Sequence, residues 1–230
     1  MKTLGLIGGM SWESTTSYYS LLNTSIRERL GGLHSAKLLL WSVDFAEIAE
    51  LQHAGNWSAL TDELVLIARK LEQAGAEGLL ICTNTMHKAA DSIQKAVSIP
   101  LIHIADATGA AMVKAGVKQP GLLATRFTME QDFYKERLAS RFAVKSLIPD
   151  DAGRETVHRI IYDELCRGVV TNASKAAYLA EIARLQQAGA DGIILGCTEI
   201  GLLIGQDDVT LPVFDTTRIH VEAAVDFMLS

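Results

Sequence analysis

An eleven-residue segment occurs twice in this chain. Leu71-Glu-Gln-Ala-Gly-Ala-Glu-Gly-Leu-Leu-Ile81 returns as Leu185-Gln-Gln-Ala-Gly-Ala-Asp-Gly-Ile-Ile-Leu195, with six of eleven positions identical and the others conservative, 114 residues apart. Two weaker echoes keep the same order. Gly5-Leu6-Ile7 returns as Gly121-Leu122-Leu123, and Ile99-Pro100-Leu101 as Leu211-Pro212-Val213, at offsets of 116 and 112. Helix-to-strand joints in α/β proteins share glycine and aliphatic residues, but that resemblance does not require a common Leu-x-Gln-Ala-Gly-Ala. Three echoes in one order at nearly one offset indicate a duplicated half. The chain is therefore expected to fold as two similar domains of about 115 residues each, the first from 1–98 plus 212–230 and the second from 99–211.

The halves are written in α/β language. Short aliphatic runs (Leu4–Ile7, Lys37–Trp41, Gly78–Cys82, Leu101–Ile104, Gly121–Ala124, Ala143–Leu147, Gly192–Leu195, Val213–Phe214) alternate with stretches of helical period such as Ala59–Ala74 and Ser174–Ala188. Runs apolar at every position suit strands buried on both faces, so parallel sheets with helices on both sides are predicted. Ligands of such sheets bind beyond the carboxyl ends of the strands. Two pseudo-twofold-related, doubly wound domains would then share one active-site cleft.

Composition excludes several classes. Hydrophobic residues make up 49% of the 230 and charged residues 21%, which is ordinary for a globular protein. The net charge is −6 and the basic residues are scattered, so no nucleic-acid partner is expected. No run approaches the roughly 18 apolar residues of a membrane helix, and the short apolar N-terminus lacks signal-peptide form. The expected location is the cytoplasm, with no membrane partner. Cys82, Cys166 and Cys197 are an odd number without CxxC spacing, which argues against disulfides or structural zinc. His103, His158 and His220 show no ligand spacing either, so no metal is expected.

The repeat places the residues beyond each strand in register. Cys82-Thr83-Asn84-Thr85-Met86-His87 comes after the first copy and Gly196-Cys197-Thr198-Glu199 after the second, which makes Thr83 and Cys197 counterparts. Each is expected where a strand ends and a helix begins. Inverting an acidic carbon centre needs a base on one side and an acid on the other, and a pseudo-twofold axis supplies opposed groups. A helix N-terminus at Cys197 would lower its thiol pKa. Asn84, Thr85 and Thr198 could hold a carboxylate as charge develops. Glu199 could orient Cys197, hold a substrate ammonium or cap the helix. Gly8-Gly9-Met10-Ser11 offers backbone amides to an anion, but is not a dinucleotide motif.

From Gly5-Leu-Ile-Gly-Gly-Met-Ser-Trp-Glu-Ser14, through Cys82-Thr-Asn-Thr-Met-His87, to Leu195-Gly-Cys-Thr-Glu-Ile200, the chain resembles the cofactor-independent aspartate/glutamate racemases, closest to the bacterial aspartate and broad-specificity amino-acid racemase branch. The resemblance implies catalysis without pyridoxal phosphate or any other cofactor, an acidic amino-acid substrate and a homodimer. It also implies a cysteine in each domain. The second falls on Cys197. Thr83 stands in place of the first, and the adjacent Cys82 should face the packing side of its strand.

In the family the second-domain cysteine faces the α-hydrogen of the L-enantiomer, so an asymmetric enzyme acting on L-aspartate or L-glutamate is expected. By the same resemblance, Met10 offers a backbone contact, Gln52 lies in a lid near the side-chain end of the substrate, and Arg167 pairs with the distal carboxylate. Thr125, Arg126 and Thr128 open the second half's first loop and offer a less specific polar contact, while His87 lies one turn past Thr83. Cys166 reads as a packing thiol. Two rivals stay open: a single-cysteine decarboxylase or cis-trans isomerase on this fold, and a binding protein on a racemase scaffold.

Overall fold

The computed structural model describes all 230 residues. It contains six strands, β1 (Leu4–Gly8), β2 (Leu38–Ser42), β3 (Gly78–Ile81), β4 (Gly121–Ala124), β5 (Ile193–Gly196) and β6 (Val213–Asp215). Ten α-helices accompany them: α1 (Trp12–Leu30), α2 (Phe45–His53), α3 (Trp57–Gln73), α4 (Ala90–Ala96), α5 (Ile104–Ala115), α6 (Arg126–Glu130), α7 (Asp132–Phe142), α8 (Asp151–Asp163), α9 (Asn172–Gln187) and α10 (Thr216–Leu229). All strand pairs are parallel, in two three-stranded sheets ordered β2-β1-β3 and β4-β5-β6. The chain divides into two compact units, Met1–His103 with His220–Ser230, and Ile104–Ile219.

These divisions fall later in the chain than the expected 98/99 and 211/212. The reason is strand pairing. Leu101 bridges Leu79 in the first unit, and β6 pairs with β5 in the second, so each repeat keeps the strand that comes after its proline. Leu79 N–H donates to Pro100 O at 2.9 Å, and its counterpart Ile193 N–H donates to Pro212 O at 2.8 Å.

The duplication extends to individual hydrogen bonds. Gly75 and Gly189 have φ of +98° and +100°, a left-handed conformation open mainly to glycine. The next amides return to the preceding helices in the same way, Ala76 N to Leu71 O at 3.0 Å and Ala190 N to Leu185 O at 2.9 Å. Such closures satisfy carbonyls that a helix C-terminus would otherwise orphan. The shared Ala-Gly-Ala is thus the sequence of a helix stop.

β1, β3, β4 and β5 are buried along their whole length, as two-sided parallel strands require. β2, expected as another buried strand, instead lies at the sheet edge with Leu40 and Trp41 exposed. In the first unit Ile7, Leu79 and Ile81 pack with Leu60, Leu64, Ile67 and Leu71 of α3. Leu4, Leu6, Leu80 and Cys82 point the other way, onto Tyr18, Leu22 and Ile26 of α1 and Val221, Val225 and Met228 of α10. The second unit has one core cluster, in which β4 and β5 meet Tyr134, Leu138, Val157, Ile161, Tyr178 and Ile182.

Two expected strands are reduced to single bridges. Leu101 pairs only with Leu79, and Ala143–Leu147 contributes only Leu147, opposite Gly121. Prolines explain the shortening, since Pro100 and Pro120 bring no N–H to their ladders. Ile104 already belongs to α5.

No helix is long and apolar enough to cross a membrane.

Candidate active site

In the first unit, β3 ends at Ile81, and a five-residue 3₁₀ helix, Thr85–Ala89, leads into α4. The turn between them holds half-buried Thr83 and buried Asn84. His87 closes it, its Nδ1–H donating to Thr83 O at 2.8 Å. Thr85 is buried alongside. Gln52, from α2, is 3% exposed rather than solvated, and its Nε2 donates to Met86 Sδ at 3.2 Å. Met10 packs in the core cluster that contains Met86. Gln52 therefore reaches, through Met86, the turn that holds Thr83, Asn84 and Thr85.

One amide of the loop after β1 is already engaged. Gly9 N–H donates to Thr15 Oγ1 at 2.8 Å, and Ser11 caps α1 by accepting from Ser14 N–H at 3.2 Å. Gly9 adopts φ +88°, and an added Cβ would lie 2.3 Å from Val43 O and 2.5 Å from Val43 N. Gly9→Ala is therefore expected to lower stability by about 2 kcal/mol, from a left-handed conformation combined with backbone overlap. Urea unfolding would show it as a lower midpoint at unchanged slope; an unchanged midpoint contradicts it.

Three buried histidines back the Thr83 turn: His87 lies 4.6 Å from His103 and 5.6 Å from His220, between ring centroids. His220 Nε2–H donates to Ile102 O at 2.7 Å, so its Nδ1 accepts from Tyr18 OH at 2.8 Å. No group of three His, Cys, Asp or Glu side chains is placed to hold a metal ion.

In the second unit Cys197 directly succeeds β5. No α-helix begins there; the chain makes only a three-residue 3₁₀ turn, Ile200–Leu202. The expected lowering of the thiol pKa by a helix dipole is thus corrected. Burial pushes the Cys197 thiol well above its ordinary value, the Glu199 and Cys166 charges add to the rise, and a backbone hydrogen bond with Glu199 opposes it. Cys197 Sγ donates to Glu199 Oε2 at 2.9 Å, and Thr198 Oγ1 donates to the same oxygen at 2.7 Å. Glu199 itself is 3% exposed.

Arg167, exposed, ends a 3₁₀ turn, Leu165–Arg167, whose Leu165 is buried, before Gly168 at φ +70°. Its neighbour Cys166 is close enough to act electrostatically on Cys197, as Tyr162 and Tyr178 are, whose hydroxyls are held above their ordinary pKa chiefly by burial. Arg126 is spoken for, paired with Glu155 and, at 3.9 Å, with Glu130. Thr125 caps α6 by accepting from Thr128 N–H. Cys82 is buried in the core and burial alone raises its thiol pKa.

Sequence reasoning left Glu199 undecided and missed Tyr162. Glu199 carried a signal, its position two residues from Cys197; Tyr162 carried none.

A duplicated parallel α/β fold thus carries a thiol on a buried carboxylate after one strand and a hydroxyl at the equivalent place after the other. Residues 7–224 match the family described as Asp/Glu/Hydantoin racemase, and the chain belongs to that family. A candidate Asp/Glu racemase from Yersinia pestis is 52% identical, with a TM-score of 0.93 and all of both chains covered. An aspartate racemase homologue from Pyrococcus horikoshii OT3 is 34% identical with a TM-score of 0.87, again over all of both chains. The broad-specificity amino-acid racemase of Bacillus subtilis (strain 168) is 20% identical over 99% of this chain and 98% of its own. The protein is an amino-acid racemase, hence an isomerase.

Proposed function

We propose that this racemase acts on L-aspartate and/or L-glutamate without pyridoxal phosphate or another cofactor. Cys197 removes the α-proton, and a proton returns from the Thr83 side. The observation that carries the reading is the inequality of two equivalent turns. One holds a thiol on the Glu199 carboxylate at 2.9 Å. The other holds a threonine hydroxyl, with Thr85 where Glu199 would stand.

A hydroxyl is far less acidic than a thiol, so Thr83 can donate a proton to a carbanion, directly or through water, more readily than it can act as a base. Turnover is then one-sided, with the L-form reacting and the D-form reacting poorly. Asn84, Thr85 and Thr198 hold the α-carboxylate as negative charge spreads onto it. Met10 supplies a backbone contact and Gln52 the side-chain end of the pocket, while exposed Arg167 is available to the distal carboxylate. The reading carries a cytoplasmic homodimer with it, whose stoichiometry light scattering would measure.

Incubating each enantiomer in heavy water and following α-deuteration by NMR tests the proposal. L-aspartate or L-glutamate is expected to exchange at least about tenfold faster than its mirror image. Equal exchange from both enantiomers, or none from either, rejects it, and release of carbon dioxide would instead indicate a decarboxylase. Thr83→Cys supplies a thiol on the weak side and is expected to raise D-form exchange about tenfold or more; no gain in the D-form would show that the residue type at 83 does not set the asymmetry.

A further inference from the structure

In the proposed reaction the proton returns from the Thr83 side, where the hydroxyl is only a weak acid. Such a donor depends on being held within reach of the carbanion and correctly aimed. The backbone that carries Thr83 is held by two buried side chains. Cys82 N–H still bonds Ile7 O of β1 at 2.9 Å, and the carbonyls that come next are then taken in turn. Ser14 Oγ donates to Cys82 O at 3.0 Å, and His87 Nδ1–H donates to Thr83 O at 2.8 Å. Ser14 and His87 are both buried, so water has little access to either donor.

The second unit holds its turn differently. There Cys197 O accepts from a backbone donor, Ile200 N–H, at 3.1 Å. Gly201, which has no side chain to donate, stands 114 residues after His87. A side-chain donor therefore belongs to the turn that presents threonine. His87 is itself braced, packed on His103 and His220 at 4.6 and 5.6 Å between ring centroids. His220 in turn is tied at both nitrogens, to Ile102 O and to Tyr18 OH. We propose that His87 is a positioning residue for the proton return: its bond to Thr83 O, backed by His103 and His220, sets the aim of the Thr83 hydroxyl. Its role is to hold the peptide, not to supply the proton. The assignment rests on Thr83 being the side from which the proton returns.

The test follows L-aspartate in heavy water at low conversion. Loss of the α-proton ends in deuterated L-aspartate when the deuteron returns to the face it left, and in deuterated D-aspartate when it arrives from the Thr83 side. Chiral chromatography with mass detection measures both, and their ratio does not depend on how much of a variant is folded. His87→Phe keeps a ring beside His103 and His220 but has no N–H to donate. It is expected to lower the ratio of D to L product about tenfold. His87→Leu also lacks the donor, is expected to do the same, and replaces the phenylalanine variant if that chain does not fold. His87→Asn puts an amide N–H near the place of Nδ1 and is expected to keep the ratio within about threefold of the unaltered enzyme. Thr83→Val removes the hydroxyl and is expected to lower the ratio by itself; adding His87→Phe to it should lower the ratio no further.

An unchanged ratio in the variants without a donor overturns the inference, even if both products form more slowly, because a merely structural role slows them alike. A fall in His87→Asn as large as in those variants overturns it too, since the hydrogen bond would not be what matters. So does a further fall on the Thr83→Val background. If the unaltered enzyme makes neither product, or Thr83→Val leaves the ratio unchanged, the underlying reading has failed, and that outcome is distinct from an unmoved ratio in His87→Phe.

Discussion

Replacing Cys197 by alanine is expected to reduce α-deuteration of L-aspartate and L-glutamate by about a thousandfold or more. The size reflects the groups that would remain. In the proposed reading Asn84, Thr85 and Thr198 still hold the carboxylate, so binding persists, but no group beside the α-carbon of the L-form accepts its proton. Stability should fall only modestly, since the one buried sulfur removed leaves a small cavity and Glu199 Oε2 keeps its bond from Thr198. Cys197→Ser sharpens the experiment. A serine hydroxyl keeps a donor for Glu199 Oε2 but is far less acidic, so this variant is expected to be nearly as inactive as the alanine one. Serine retaining a tenth of the rate would mean that Glu199 does the deprotonation alone and the sulfur is dispensable. Substrate-induced shifts in melting temperature, preserved in both variants, would show that binding survives.

Acid is expected to destabilise the first unit through His220. The ring is fully buried, with Nε2–H on Ile102 O and Nδ1 accepting from Tyr18 OH, so both nitrogens are satisfied only in the neutral form. Burial lowers its pKa from 6.5 to about 4, against a smaller opposing effect of the bond to Ile102. The folded value lies below the unfolded one, so the unfolded chain binds the extra proton. Stability is therefore complete above about pH 6.5 and declines as pH falls toward about 4. The slope is about 1.4 kcal/mol per pH unit, for a loss of about 3 kcal/mol across the window. That is a large part of an ordinary folding free energy of about 5–15 kcal/mol. Glu72 and Asp208, whose carboxyls are held below their ordinary values by hydrogen bonds from Ser98 and from Lys175, add losses only at lower pH. Urea unfolding at pH 7 and pH 4.5, on the unaltered protein and on His220→Gln, separates the contributions. The variant is expected to start less stable and to lose less between the two pH values; parallel losses would show that His220 is not the group responsible.

Much of the fold was legible because its signals are local or repeated. Strands buried on both faces must be apolar at every position, so β1, β3, β4 and β5 stood out as unbroken aliphatic runs. Leu-x-Gln-Ala-Gly-Ala recurs because the left-handed glycine of a helix stop recurs, and its offset alone made Cys197 the counterpart of Thr83. Strand ends were less legible, since Pro100 and Pro120 cut short ladders whose side-chain pattern reads as strand. In the loop Gly8-Gly9-Met10-Ser11 the Gly9 amide is taken by Thr15, six residues on, a contact the loop's own residues do not announce.

The sequence by itself determined the duplicated α/β architecture and the turns that hold Thr83 and Cys197, because periodicity and repetition are properties of the chain read in order. Only the tertiary structure decided how acidic the Cys197 thiol is. The expected lowering by a helix became a rise through burial and the Glu199 carboxylate, because a proton's affinity depends on desolvation and on charges in three dimensions. The same cause separated the histidines. His87, His103 and His220, far apart in sequence, meet behind the Thr83 turn, where burial in a common core keeps His220 neutral.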